Sequence, residues 1–538
     1  MSKFIFITGG VVSGLGKGIL TASIGALVKA RGLSATMLKF DPYLNVDAGT
    51  MSPYQHGEVF VLKDGAETDL DLGHYERFID EDLTCLSNVT SGKIYSSVIT
   101  RERRGEYLGA TVQMIPHVTD EIKQTIRLLA HESTAEVLVI EIGGTVGDIE
   151  GLPFLEAIRQ FRRDFQPQDV LYIHTTLVPF LDPSGEQKTK PTQHSVRELR
   201  SIGIQPDVIV CRSNLPISGK MRNKVALFCD VQPNEVISLP DLESIYRVPI
   251  FLEREGLAPI LDRFIGKHRK TDLSKWERLD RILTSVRPTV QIGLVGKYVG
   301  MRDTYISVTE AIKHAGFEVG VEPHVKWIDA EKFEKAGTEK ALNTLDGIIV
   351  PGGFDNRGVE GKILAIRYAR EQQMPFLGLC LGMQCAVIEF ARNVCGLQRA
   401  NSTEFNAKTP DPVICLLPNQ RGRKEKGGTM RLGAFPCRLK IGSKAHQAYG
   451  LDVIQERHRH RFELNNRYRM MFEKAGLIVS GNYEEKNLAE VMEITDHPWF
   501  VGSQFHPELT SRPGKANPLF RQFVDACLRR AEAKWKSS

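Results

Sequence analysis

Short apolar runs alternate with amphipathic stretches through the first half of this chain. Residues 4–7, 35–40, 137–142, 170–175, 208–211 and 236–239 are apolar runs of strand length, and residues 19–30 carry helical apolar spacing. Strands alternating with helices predict a parallel sheet covered on both faces, with ligands at the carboxyl ends of its strands. Between about residues 266 and 287 the chain turns polar and charged, through Lys267-His268-Arg269-Lys270 and a helix-like stretch at 273–286. A fresh strand at 289–295 restarts the rhythm, which continues through 347–350, 375–379 and 499–505. The pattern predicts an α/β protein of two doubly wound domains, residues 1–266 and 289–538, with a linker over 267–288. Residues 421–428 read as a loop, and the sequence carries no internal repeat or low-complexity segment.

Composition narrows this picture. A chain of 538 residues exceeds what one core supports, which agrees with more than one domain. Apolar content of 42% and charged content of 25% are those of an ordinary soluble globular protein, so extensive disorder is not expected. Lys and Arg number 70 against 65 Asp and Glu, a net charge of +5 that is too even for a nucleic-acid surface. Small anionic ligands are expected instead. The cysteines, at 85, 211, 229, 380, 385, 395, 415, 437 and 527, make an odd count without a Cys-x-x-Cys pair. That argues against a disulfide framework or zinc ribbon and for a reducing compartment, the cytoplasm. No leader and no run of eighteen apolar residues is seen, so no membrane partner is expected.

The first predicted strand runs into Gly9-Gly10-Val11-Val12-Ser13-Gly14-Leu15-Gly16-Lys17-Gly18, a glycine-rich turn that opens a helix. Converging backbone N–H groups and the positive helix end suit a polyphosphate, with Lys17 as a mobile point charge. A turn that merely packs a helix on a strand is the plain alternative. After Gly-Lys a P-loop carries Ser or Thr to hold magnesium; Gly18 stands there instead, so other groups must hold the metal. Lys39 and Asp41 end the second strand, either in the site or as a strand-end salt bridge. The acidic segment from Asp64 to Asp71 offers hard oxygen ligands, and Glu141 ends another strand, so Asp71 and Glu141 are the candidate magnesium ligands. Asp148 and Glu150 follow a second glycine turn and suit a base or ribose hydroxyls, unless that turn is simply solvated. A loop of lysines, hydroxyls and an amide from Lys188 to Ser195 suits a triphosphate or is a solvated charge run. Lys224 and Phe228, at i and i+4, offer a cation and a ring, or ordinary helix surface.

A second chemistry lies in Gly378-Leu379-Cys380-Leu381-Gly382, where a cysteine stands between two glycines at a strand-to-helix junction. Small flanks permit the sharp turn that exposes a nucleophile, and the helix N–H groups can hold an oxyanion. Gly352-Gly353 offers another N–H. His506 and Glu508, in Gln504-Phe505-His506-Pro507-Glu508, supply a base and its orienting carboxylate, completing a hydrolytic triad by role. A lone cysteine is by default structural; the pairing of both motifs within one predicted domain selects the nucleophile. His458 and His460 alternate within Arg457-His458-Arg459-His460-Arg461, which indicates a strand with substrate-facing arginine rather than a metal site, since no third ligand is evident.

Taken together, these motifs resemble the CTP synthase family over nearly the whole chain. The first half carries the resemblance at residues 9–18, 39–45, 49–60 and 69–77. The second half resembles the class I glutamine amidotransferase domain at 351–353, 378–384 and 505–508. The resemblance implies a P-loop-like synthetase (amidoligase) domain followed by an amidotransferase domain. The implied activity is ATP-dependent amination of UTP at C4, with ammonia released from glutamine. It implies that Ser13, Lys188, Thr189, Lys190, Pro191, Thr192, Gln193 and Lys224 bind UTP or CTP. Gly14, Leu15, Gly16, Lys17, Gly18, Ile19 and Asp71 would bind ATP, and Asp71 and Glu141 would bind Mg2+. Asp148, Ile149 and Glu150 would meet CTP as inhibitor. Gly353, Leu381, Gly382, Met383, Gln384, Glu404 and Arg461 would hold L-glutamine for Cys380, His506 and Glu508. GTP as allosteric activator, an enclosed ammonia passage and a homotetramer, a dimer of dimers, are further implications. One departure is Asp355, where the family pattern has glycine after the phenylalanine, beside a loop the family uses in GTP activation. A regulatory protein with a decayed site is opposed by the intact Lys17, Asp71, Glu141, Cys380, His506 and Glu508. Glutamine-dependent synthesis on a corrinoid diacid leaves residues 188–193 without a role.

Overall fold

The structure is a computed structural model that describes residues 2–181, 185–266, 270–336, 340–354, 356–417 and 428–537. Asp355, Lys267, His268, Arg269 and most of the loop expected at 421–428 lie outside the described residues. The chain groups into two compact units, Met1–Ala48 with Asp71–Thr284, and Gly49–Leu70 with Ser285–Ser538. No described helix is long and apolar enough to cross a membrane.

The first unit is built on strands β1 (Lys3–Gly9), β2 (Ala35–Asp41), β3 (Asn88–Thr90), β4 (Val137–Ile142), β5 (Val170–Leu177), β6 (Val208–Ser213) and β7 (Val236–Pro240). They form a seven-stranded sheet in the order β7-β6-β5-β1-β4-β2-β3, with every pairing parallel. Both faces are covered, which is why β2 is buried at every position and reads as a continuous apolar run apart from its chemical end. Phe4 and Phe6 pack edge-on against Phe161, with ring centroids 4.9 and 5.5 Å apart. Helix α1 (Lys17–Ala30) follows β1, and α2 (Asp71–Ile79) packs on α1. Register aligns Glu141 of β4 with Ile7 on one side and Lys39 on the other, so charged side chains meet where the strands end. The helix Ser274–Thr284, within the expected linker, buries Trp276 and Leu279, with Trp276 against Phe78 at 5.1 Å.

The second unit holds a nine-stranded sheet of β8 (Thr289–Gly296), β9 (Glu322–Asp329), β10 (Gly347–Val350), β11 (Phe376–Leu379), β12 (Arg431–Leu439), β13 (Val453–His460), β14 (Leu477–Tyr483), β15 (Leu488–Ile494) and β16 (Phe500–Ser503). The order is β9-β8-β10-β11-β16-β15-β14-β12-β13. The strands from β9 to β16 pair in parallel and the rest antiparallel. The segment Gly49–Leu70 joins this unit through a hairpin of Phe60–Val61 and Glu67–Thr68. Arg457 donates to the Val61 carbonyl at 3.0 Å, Arg459 to Glu67 Oε1 at 2.8 Å, and Ala434 N to the Lys63 carbonyl at 2.9 Å.

Candidate functional site

In the first unit, the turn between β1 and α1 owes its glycines to two different constraints. Gly14 and Gly16 adopt φ of 74° and 81°, a region glycine enters without strain. Gly10 and Gly18 are there for space: a Cβ on Gly10 would lie 1.7 Å from Ser195 Oγ, and one on Gly18 would lie 2.0 Å from Asp71 Oδ1. The missing P-loop hydroxyl therefore has a physical reason. The Asp71 carboxylate, delivered by the first residue of α2, occupies the room that a side chain at residue 18 would need.

Around that turn the charges are paired within the protein. Lys39 forms ion pairs with Asp71 and, at 3.7 Å, with Asp41; Lys17 donates to the Gly144 carbonyl; and the Tyr75 hydroxyl donates to Glu141. Burial pushes the Glu141 carboxyl up to about 7, with Lys39 opposing and Asp71 reinforcing the shift. Burial pushes the Lys17 ammonium down, against the pull of Glu141. No group of three or more His, Cys, Asp or Glu side chains among the described residues could hold a metal ion. Asp71 and Glu141 offer two hard oxygen donor groups beside the helix start, which fits a magnesium ion whose remaining ligands are phosphate oxygens and water. Below the turn, His174 bridges Thr8 Oγ1 at 2.9 Å and Ser195 Oγ at 2.8 Å. Burial, with Lys17, pushes this imidazole down to about 3, so it is neutral and serves as a strut.

The remaining candidates of this unit differ in setting. Ser13 is exposed, Leu15 is buried with its carbonyl accepting from Arg212 at 3.1 Å, and Ile19 is half-buried. Residues 190–193 were expected in a loop, but Lys190, Pro191, Thr192 and Gln193 form the first turn of α3 (Lys190–Ser201). Proline fits a helix's first turn, where its missing N–H costs nothing. Lys188 pairs with Glu186, and Gln193 donates to Thr189 Oγ1 at 3.0 Å. Lys224 is exposed on the helix Gly219–Cys229, and Asp148, Ile149 and Glu150 are exposed after β4.

In the second unit, β11 ends at Leu379 and the next residue, Cys380, caps helix α4 (Leu381–Asn393) with φ 52° and ψ −102°. A non-glycine residue holds that backbone only where its surroundings enforce it. They do so here through close backbone approach: a Cβ on Gly382 would lie 2.0 Å from the Val350 carbonyl, and one on Gly378 would lie 2.8 Å from the Gly382 backbone. Cys380 N donates to the Ser503 carbonyl at 2.7 Å, which ties the turn to β16. His506 Nδ1 bonds Glu508 Oε1 at 2.7 Å, leaving Nε2 for the thiol. Burial alone would lower the imidazole, but Glu508 and Cys380 raise it well above 6.5. A Cβ on Gly352 would lie 3.0 Å from His506 Cε1 and 3.7 Å from Cys380 Cβ, so a side chain there would press on the imidazole.

These groups face a cavity of about 690 Å³ that also presents Gly353, Leu381, Gln384, Glu404 and Arg461. Of the residues expected at glutamine, Gly382 packs on Val350 and the Met383 side chain packs on Gly502, both away from the cavity. Several groups were not assigned to this site from the sequence: Phe354; Arg459 and residues 49–60, which lay in noted motifs without a role here; and Gln504, whose Nε2 lies 3.7 Å from Cys380 Sγ. Only Gln504 had a local signal, its place two residues before His506. His458 Nδ1 and His460 Nε2 lie 2.9 Å apart in a fully buried cluster with Arg431, Glu463 and Glu490. Burial and Arg431 push both imidazoles well below 6.5, so they pack as neutral rings in the sheet.

Comparison with known proteins covers both units. The family described as CTP synthase N-terminus matches residues 3–266, and that described as glutamine amidotransferase class-I matches residues 301–526. The chain is 59% identical to a CTP synthase of Carboxydothermus hydrogenoformans over 98% of its length and 99% of the relative's. It is 60% identical to a CTP synthase of Symbiobacterium thermophilum, with the same coverage of 98% and 99%. Among solved structures, the Trypanosoma brucei CTPS glutaminase domain with bound acivicin is 37% identical, covers 45% of this chain and 94% of its own, and superposes with a TM-score of 0.42.

Proposed function

The chain belongs to the CTP synthase family of glutamine-hydrolysing ligases, and from that premise we propose how its sites divide the reaction. Residues 1–266 act as the amidoligase and residues 289–538 as the amidotransferase, joined by 267–288. The observation that carries the reading is the meeting of Cys380, His506 and Glu508 at one cavity that also presents Glu404 and Arg461, a carboxylate and a guanidinium suited to the amino and carboxylate ends of glutamine.

In the amidotransferase, Cys380 passes its thiol proton to His506 Nε2 and its sulfur attacks the amide carbon of glutamine. Backbone N–H groups of Gly353 and Leu381 hold the resulting oxyanion. His506 returns the proton to the leaving nitrogen, the C–N bond breaks, and ammonia departs from a glutamyl thioester. Water, deprotonated by His506, then cleaves the thioester to glutamate and restores the thiol.

In the amidoligase, the turn from Gly14 to Ile19 cradles ATP, while Ser13, Lys188 to Gln193 and Lys224 hold UTP. Asp71 and Glu141 would hold a magnesium ion, which when bound would supply positive charge beside the phosphates. Lys17 and Lys39, both already at this end of the sheet, orient the γ-phosphoryl and spread its charge as it passes to O4 of UTP, releasing ADP. Ammonia then attacks C4 and phosphate leaves, giving CTP. Ammonia free in water would be protonated, so it travels by an enclosed passage. CTP inhibits at Asp148, Ile149 and Glu150, GTP activates, and the enzyme works as a cytoplasmic homotetramer; nine free cysteines accord with a reducing compartment.

The test is UV-monitored conversion of UTP with ATP, GTP and magnesium, supplied with glutamine or ammonium chloride. CTP formation from either nitrogen source is expected. If folded wild-type protein converts UTP with neither, the reading fails.

A further inference from the structure

Gln504 is a polar side chain that the triad does not account for. It is fully buried, and its Nε2 lies 3.7 Å from Cys380 Sγ. Its orientation is set from the far side: Gln384 Nε2 donates to the Phe462 carbonyl at 3.0 Å and to Gln504 Oε1 at 3.3 Å. A carbonyl can only accept, so the Gln384 amide has one sensible direction. With its own oxygen taken by that donor, Gln504 must turn its NH₂ toward sulfur. The second neighbour of the sulfur is the Arg459 carbonyl at 3.9 Å, which accepts from an S–H but repels a thiolate. The neutral thiol is held by Gln504 and the Arg459 carbonyl; the thiolate loses the carbonyl and keeps Gln504, facing the His506 imidazolium that its proton creates.

We propose that Gln504 is a catalytic residue of the glutaminase reaction, donating a hydrogen bond to the Cys380 sulfur that strengthens as the thiol proton moves to His506. This rests on Cys380 being the nucleophile. Gln504 keeps its own protons throughout; the thiol proton goes to His506 Nε2, and the sulfur lone pair becomes the S–C bond. Hydrogen bonds to a charged acceptor are roughly twice as strong as neutral ones, so the gain falls on the step that creates the nucleophile. Gln384 and the Phe462 carbonyl act as positioning groups, aligning amide dipoles toward the sulfur.

One variant is Gln504→Glu, assayed at alkaline pH where its carboxylate is ionised, which keeps the shape and the oxygen that Gln384 needs but carries no donor. The kcat for glutamine hydrolysis should fall about tenfold or more with KM within about twofold, and alkylation of Cys380 by iodoacetamide should slow in parallel. Gln504→Met, of similar length without polar atoms, must show the same pattern. Ammonia-supported CTP formation, which needs no thiol, reports whether each variant is folded. Wild-type kcat or wild-type alkylation in either folded variant, or a loss confined to KM, overturns the proposal. If wild-type protein is alkylated at Cys380 yet hydrolyses no glutamine, the glutaminase reading fails while the alkylation comparison still decides the hydrogen bond.

Discussion

The glycine turn of the first unit and the cysteine turn of the second are the same local construction put to opposite electrostatic ends. Each lies where a parallel strand meets a helix through a turn too tight for ordinary side chains. In the first, Lys39 pairs with Asp71, Lys17 leans on a carbonyl and Glu141 is held against its ionisation by burial. On the proposed reading, these pairings would be exchanged when a polyanion and its metal bind. In the second, His506 is already bonded to Glu508 and the sulfur already has its neighbours. A site that binds charge keeps charges that can re-pair, whereas a site that makes a nucleophile sets its pairs beforehand. The buried histidines repeat the contrast: His174 is a neutral strut, and His506 is held toward its charged form.

The contrast breaks most completely when the nucleophile is removed. Cys380→Ala should lower glutamine-supported CTP formation by about 10⁴-fold or more while ammonia-supported formation stays near wild type, read as UTP conversion by absorbance. Glu508→Gln keeps the shape of the pair but removes the charge that raises His506; glutamine hydrolysis should fall about 10³-fold in a glutamate-release assay. Gly18→Ser restores the P-loop pattern yet drives a Cβ toward Asp71, so CTP formation from both nitrogen sources should fall together, by about 10²-fold. Equal activity in that variant would show that Asp71 can move aside at no cost.

Acid sharpens the same comparison with the smallest effect. The unfolded chain protonates His174 below about 6.5, while the folded protein refuses that proton until about 3. The His174 contribution to the stability of the first unit should therefore fall with pH across that window, by up to about 1.4 kcal/mol per pH unit, while Glu141, raised to about 7, contributes with the opposite sign. His506 has the opposite sign: its folded value is raised, so its contribution is fully present below 6.5 and is lost only as pH rises through the raised value. Hydrogen exchange should show β1 and β5 of the wild type losing protection relative to His174→Gln between pH 7 and pH 5, the difference between the two proteins reporting this one group.

Both strand–turn–helix junctions were legible because the glycines, Lys17 and Cys380 are contiguous in sequence and the apolar runs before them are long enough to be strands. The doubly wound α/β character followed from the same runs. What was not legible depends on residues far apart. Gly18 looked like a defect in a motif until Asp71 was found in its space. Residues 188–193 lack apolar periodicity because the first turn of α3, from Lys190 to Gln193, is built of polar residues around Pro191, so a helix turn read as a loop. Gln504 is identifiable as a donor to sulfur only once Gln384 fixes which way its amide faces.

The excursion of Gly49–Leu70 into the second unit has a consequence in time. Glu67 meets Arg459 across 392 residues of chain, and Val61 meets Arg457 across 396. At roughly 5–20 residues per second, a ribosome delivers the hairpin roughly 20–80 s before the strand that receives it. During that interval the first unit can close its own sheet, because β1 and β2 precede the hairpin and β3 to β7 follow it well before Arg459 emerges. The newborn chain thus carries a finished half with a short strap left hanging out of it, and the last third of synthesis supplies the place where the strap is fastened.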